Sequence, residues 1–277
     1  CDCSAGNLWS AQHLLAKEGK SMIRKVHSDF FRAGAHVATA ASYQISSIGF
    51  QEAGLNHGIY RQALSDSLSI AAKAVIAGHD MGKRRRLCVA SVSCYGACLA
   101  DGSEYSASYS KYMAEADLEA FHDKRCREMM GTSNGSMDIF GCETIPCLVE
   151  VRALVRVLTR LQTPAWISFA CCDDSHLNSG ESVVEAIQLA DSCSAVVAVG
   201  FNCTAPEYIL GLIKVASQHT LKPILVYPNS GEEWNATKGQ WLSNSNASEN
   251  AFMYRLRQWY VAGASGIGGC CRVSPSL

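Results

Sequence analysis

Seven short apolar runs recur along the chain, and longer amphipathic stretches fill the intervals between them. The runs are 36–42, 87–93, 137–143, 165–170, 195–202, 224–227 and 266–269, each bounded by polar residues, glycine or proline. Little polar alternation within so short a run predicts a strand covered on both faces, as in a parallel sheet. Helical periodicity marks 20–33, 62–76, 115–130, 148–161, 182–189, 206–218 and 249–262. The first of these places Ile23, Val26, His27, Phe30 and Phe31 on one face, with His27 read as a core histidine. Strand–helix alternation of this kind is α/β with parallel strands. A chain of 277 residues without a glycine-rich phosphate loop then favours a TIM-type (β/α)8 barrel over a doubly wound sheet. Residues 1–277 read as a single domain.

The strand count stops at seven. Helical pattern begins near Leu8 with no strand before it, and Ser274-Pro275 announces a helix start three residues from the last residue, Leu277. The expectation is a barrel whose first strand and last helix are absent from this chain. The polar segment 234–250 is expected as a long loop at the catalytic end, with Trp234 and Trp241 either closing over a ligand or anchoring the loop.

Composition narrows the function classes. A net charge of −1 gives no footprint for nucleic acid. No apolar run reaches the roughly 18 residues of a membrane span, and residues 1–20 lack a secretory pattern. The expected location is therefore the cytoplasm. Of the 14 cysteines, many lie in apolar runs, where a reduced thiol packs as a small hydrophobe. Cys171-Cys172 and the Cys94/Cys98 pair are read in that way. The Asn-X-Ser/Thr sequences at Asn134, Asn202, Asn235 and Asn246 are read as chance matches.

Three other cysteines stand apart. Cys270-Cys271 follows a glycine pair in Gly268-Gly269-Cys270-Cys271-Arg272, and Cys203 closes Gly200-Phe201-Asn202-Cys203. Both segments end an apolar run. Three thiolates at strand ends make an open zinc site, with the fourth position free for a substrate. Glu143 also ends an apolar run, and a carboxylate buried there needs a partner.

These segments fall in order with Ala41-Ser42-Tyr43-Gln44, Tyr95-Gly96-Ala97, Leu99-Ala100-Asp101-Gly102-Ser103-Glu104-Tyr105, Cys142-Glu143-Thr144-Ile145-Pro146 and Tyr227-Pro228-Asn229-Ser230-Gly231-Glu232. Together they resemble the homocysteine S-methyltransferase family, from about Leu8 to the end, and most closely its branch using S-methylmethionine or S-adenosylmethionine. The resemblance implies a (β/α)8 barrel and Zn2+ held by Cys203, Cys270 and Cys271. It also implies that Glu143 holds the amino-acid end of homocysteine. The family's first strand ends in Asp-Gly-Gly, which this chain lacks, and Asp2 is not given that aspartate's role.

The function expected is methyl transfer from a sulfonium to homocysteine, giving methionine. The partners are those two small molecules, without nucleic acid or membrane, and the oligomeric state is left open. Tyr43, Gln44 and Asp101 are candidate substrate contacts beside Glu143, and Asp101 and Glu104 could each face the donor's cation or cap a helix. The alternatives are a silent or truncated member acting as a zinc- or thiol-binding module, or a selenocysteine- or betaine-type methyltransferase.

Overall fold

The computed structural model describes residues 6–79, 85–235, 240–242 and 249–275. Seven parallel strands form one curled sheet: β1 (Val37–Thr39), β2 (Leu87–Ser93), β3 (Ile139–Ile145), β4 (Ala165–Phe169), β5 (Val196–Asn202), β6 (Ile224–Tyr227) and, last in the chain, β9 (Ala264–Ile267). Their spatial order is their chain order, β1-β2-β3-β4-β5-β6-β9. Between β6 and β9, a two-stranded antiparallel ribbon pairs β7 (Glu233–Asn235) with β8 (Gln240–Leu242). All seven expected strands are present, with β2 and β6 matching the expected bounds. β1 is shorter than expected, because the chain turns at once, with Ser42 N–H bonding Ala40 O at 2.7 Å.

The helices are α1 (Lys17–Arg32), α2 (Ser47–Glu52), α3 (His57–His79), α4 (Tyr95–Leu99), α5 (Ser103–Ser106), α6 (Glu115–Ser133), α7 (Leu148–Leu161), α8 (Val183–Asp191), α9 (Ile209–His219) and α10 (Glu249–Val261). A 3₁₀ segment, Gly6–Leu15, precedes them and buries Leu8, Ala11 and Leu14 in the main core. α7 shows why such a sequence becomes a helix over a sheet. Val151, Leu154, Val157 and Leu158 are buried along one stripe, and Arg152, Arg156 and Arg160 leave the other side to pair with Glu115, Glu119 and Asp123 of α6. Such exposed pairs fix helix orientation more than they add stability.

Burial follows position in the sheet. Every residue of β3 and β4 is buried, as covered parallel strands require. At the two edges, Val37 of β1 and Ile267 of β9 stay exposed, and among the described residues no strand joins β9 to β1. Two expectations change here. Val26 is exposed, because α1 packs on α3 and the 3₁₀ segment with Phe31 buried and Ile23 against the core. The segment 234–250 is no plain loop, since it carries the β7–β8 ribbon and the start of α10. The side chains of Trp234 and Trp241, and the residues beyond Pro275 where a last helix is expected, lie outside the described residues, as does Asp2.

Candidate functional site

The carboxyl ends of β5, β6 and β9 converge. β5 ends at Asn202, and Cys203 follows with a left-handed φ of 48°. After β9, Gly268 N–H bonds Val226 O at 2.8 Å and Cys270 N–H bonds Pro228 O at 2.8 Å, so the segment runs alongside the exit of β6. Ser230 N–H bonds Cys271 O at 3.0 Å, and Asn229 N–H bonds Thr204 O at 3.1 Å, closing the link from β6 back to β5. Gly269 is required there: a Cβ would stand 2.1 Å from Val273 Cγ1. Arg272 also takes a left-handed φ of 68°, and its Nε meets Glu232 Oε2 at 2.8 Å.

These contacts bring Cys203, Cys270 and Cys271 together, with all three Sγ atoms within 4.8 Å of one another. The remaining described cysteines form no such group. The three thiols act on one another through hydrogen bonds and charge. Thiol hydrogen bonds from Cys203 and then Cys270 hold Cys271 down to about 3, with Tyr105 adding a further bond. Cys203, which donates to both neighbours and is buried, is pushed well up. Cys270 accepts from Cys203 and donates to Cys271, and burial leaves it high as well. Tetrahedral zinc with sulfur at about 2.3 Å needs sulfurs about 3.8 Å apart, which this trio accommodates with three soft donors and one position left over.

Glu143 lies beside the trio on a distorted strand end. The β3–β4 register shifts between Cys142 and Ile145, and Thr144 adopts a φ of 60°, rare for a β-branched residue. Such an irregularity re-aims a side chain next to a site. Asn202 holds it in place: its Oδ1 accepts from Thr144 N–H at 2.8 Å, and its Nδ2 donates to Thr144 Oγ1 at 2.8 Å. The Glu143 carboxylate accepts from Ser91 Oγ and Tyr227. Burial raises its pKa, those two bonds lower it, and burial prevails. Tyr227 in turn accepts from Trp166 Nε1 at 3.0 Å.

The other expected residues are placed as follows. Tyr43 reaches the same rim, where its phenol bonds Thr144 and feels Cys203. Arg125, 3% exposed, donates to Tyr43 O at 2.7 Å and Ser42 O at 2.9 Å, which fixes that turn. Gln44 points its Oε1 at the 3₁₀ segment, accepting from Ser10 N–H at 2.9 Å and Ser10 Oγ at 2.8 Å. Asp101 is exposed, and its Oδ1 accepts from Ser103 N–H at 2.9 Å. Glu104 is buried, and burial raises its carboxyl.

Asn202, Ser91, Tyr227, Tyr105 and Arg125 have structural parts here to which sequence reasoning gave no role. Asn202, Tyr105 and Tyr227 stood inside quoted motifs, whereas nothing in the local sequence singles out Ser91 or Arg125. Asn202 is also 2% exposed, which disposes of it as a glycosylation acceptor. Cys171 and Cys172 stay away from the trio: Cys171 is buried in the core, and Cys172 Sγ bonds Leu177 O at 3.1 Å.

The model of the family described as homocysteine S-methyltransferase matches residues 1–277. Homocysteine S-methyltransferase 4 of Zea mays is 41% identical, covering 97% of this chain and 80% of its own length. Selenocysteine Se-methyltransferase of Brassica oleracea var. italica is 38% identical, with 97% and 81% covered. Among solved structures, the metallated form of the homocysteine methyltransferase MmuM from Escherichia coli superposes with a TM-score of 0.84 at 34% identity, covering 100% of this chain and 88% of that one. The curled parallel sheet is accordingly of the TIM-barrel type found in this family. With a sequence match along its full length and a shared fold, this chain belongs to the homocysteine S-methyltransferase family, a family of methyltransferase enzymes.

Proposed function

We propose that this protein transfers a methyl group from a sulfonium donor, S-methylmethionine or S-adenosylmethionine, to the sulfur of homocysteine, giving methionine. The convergence of Cys203, Cys270 and Cys271 at the carboxyl ends of β5 and β9 carries the reading. We assign the metal as zinc. Bound there, zinc would supply the positive charge that strips the proton from a substrate thiol near neutral pH.

The protein's own residues do the rest. Glu143, held by Ser91 and Tyr227, receives the ammonium of homocysteine. Tyr43, with Gln44 behind it, borders the acceptor, and Asp101 lies at the outer rim. The methyl moves in line: the donor's S–CH3 bond breaks as the acceptor's S–CH3 bond forms. The donor leaves as a neutral thioether, and no proton changes hands in that step. Residues 1–277 act as one domain. All twelve described cysteines are free thiols, which suits a reducing compartment such as the cytoplasm. Among the described residues no helix is long and apolar enough to cross a membrane.

The test is methyl transfer to homocysteine from each donor, with zinc measured on the same sample. The expected result is about one zinc per chain and methionine formation with at least one donor. Cys271→Ser should lose both, while Cys172→Ser keeps both. Full zinc with no turnover on either donor would refute the reading and leave a thiol-binding module. The likeness to a selenocysteine methyltransferase makes selenocysteine the second acceptor to assay.

A further inference from the structure

Glu104 is 3% exposed, and its Oε2 is buried with no hydrogen-bond partner among the described residues. The charged groups that act on it, Asp101 and Cys271, are both acidic. A buried carboxylate in such company is costly unless a cation comes to it.

Its backbone is fixed from several sides. α5, which carries it, lies between left-handed Gly102 and left-handed Ala107. Asp101 Oδ1 caps Ser103 N–H, and Ala107 N–H bonds Ser103 O at 2.8 Å. Gly96 closes the back: a Cβ there would come within 2.7 Å of Glu104 N. The segment carrying Gly96 is itself anchored, because buried Glu150 accepts from Tyr95 N–H at 2.6 Å, from His122 Nε2 at 2.7 Å and from Tyr109. The carboxylate is therefore held in place rather than free to find water.

We propose that Glu104 is the anion that receives the positive sulfonium of the methyl donor. The inference rests on the methyl-transfer reading above and names the residue that selects the donor. A sulfonium has a full charge but no N–H or O–H, so its partner needs a bare oxygen. Glu104 Oε2 is bare, whereas the Glu143 carboxylate is already bonded by Ser91 and Tyr227. Position agrees: for in-line transfer the donor sulfur must stand one methyl away from the accepting sulfur, and hence beside the cysteine trio. Tyr105, the next residue, hydrogen-bonds Cys271, and the charge of Cys271 acts on Glu104. The charge logic also gives a release step. Once the methyl has moved, the donor is a neutral thioether and its attraction to Glu104 is gone.

The experiment uses the full, zinc-loaded chain and Glu104→Gln, which keeps shape and removes charge. Calorimetric titration compares S-methylmethionine with methionine, its neutral counterpart. Loss of one partner of a buried charge pair should weaken sulfonium binding on the order of 10²-fold, with methionine within about twofold of the wild type. Zinc content and the KM for homocysteine should not change. Glu104→Asp, which keeps the charge one methylene short, should lie between and covers the case in which the Gln variant folds poorly. Equal weakening for charged and neutral ligands, or none for either, would overturn the proposal while leaving methyl transfer intact. A zinc-loaded wild type that binds no sulfonium would overturn both.

Discussion

Asn202→Ala removes a side chain that ties the β5 exit to the distorted end of β3. Both of its 2.8 Å bonds to Thr144 disappear, and Thr144, 0% exposed, keeps an N–H with no water to replace the lost acceptor. Two buried hydrogen bonds contribute about 0.5–1.5 kcal/mol each, and an orphaned buried donor costs about 1–3 kcal/mol. Thr144 can recover part of this by leaving its left-handed conformation, which stores about 1–3 kcal/mol. The net loss is about 3 kcal/mol, and at about 2–4 °C per kcal/mol the metal-free protein should melt about 6–12 °C lower. Calorimetry in the presence of a chelator measures this without contribution from bound zinc. Competition with a chromophoric chelator then follows the trio: with Cys203 no longer held by its neighbour, zinc affinity should fall about 10–100-fold. Asn202→Asp keeps the acceptor for Thr144 N–H and should lose less than half as much in melting temperature. An Asn202→Ala protein melting within about 1 °C of the wild type would show that this link is not what holds the two strand ends.

Gly269→Ala should drive the Cys270-Cys271 segment off Val273, costing about 1–3 kcal/mol and weakening zinc binding in the chelator assay. Because the clash includes Val273 Cβ at 2.3 Å, the double variant with Val273→Gly should recover most of that affinity, and a failure to do so would refute the steric account. Burial lowers the pKa of His27, whose Nε2 finds no partner among the described residues. Its stabilising contribution is therefore present above the ordinary histidine value and lost as pH falls through the folded value. Melting temperatures between pH 7.5 and 5 should fall less steeply for His27→Leu than for the wild type. Ala100 ends α4 with a φ of 54°, so Ala100→Gly should stabilise by about 0.5–1 kcal/mol and raise the melting temperature about 1–4 °C.

What the sequence made legible follows from how the information is stored. A strand covered on both faces must be apolar throughout, so β2, β3, β4 and β5 announce themselves locally. β1 and β9 lie at the sheet edges and are half exposed, so apolar pattern alone misplaces their bounds: the run 36–42 yields only Val37–Thr39, and the run 266–269 shifts to Ala264–Ile267. The three cysteines were legible because a soft metal demands a particular residue type and because Cys203 and Cys270-Cys271 fall in order among the family motifs; a vicinal pair alone does not suffice, as Cys171-Cys172 shows. Glu143 was legible for the same kind of reason, as a charge at the end of an apolar run. Asn202 and Arg125 were not. Their importance lies in which distant backbone groups they reach, Thr144 in one case and Ser42 and Tyr43 in the other. No local pattern records a partner more than fifty residues away. Asp101 and Glu104 illustrate the limit from the other side. Adjacent in one loop motif and alike in charge, one is exposed and caps a turn while the other is buried with a bare oxygen.

The backbone adds a constraint that composition hides. Among the described residues, eight non-glycine positions have left-handed φ, and five of them, Ala100, Ala107, Thr144, Cys203 and Arg272, surround the cysteine trio and Glu104. Asn134 and Gln162 merely end helices, as such residues commonly do. At about 1 kcal/mol or more each, five such positions are a sizeable share of the roughly 5–15 kcal/mol that holds a domain together. Three of these turns are held by side chains from elsewhere or nearby: Thr144 by Asn202, Arg272 by Glu232, and the start of α5 by Asp101. Residues of unremarkable type thus fix the backbone around the conspicuous ones, and Cys203 itself takes a left-handed conformation. A relative that kept the three cysteines but lost Asn202 and Glu232 would carry the motif without two of the contacts that hold its geometry.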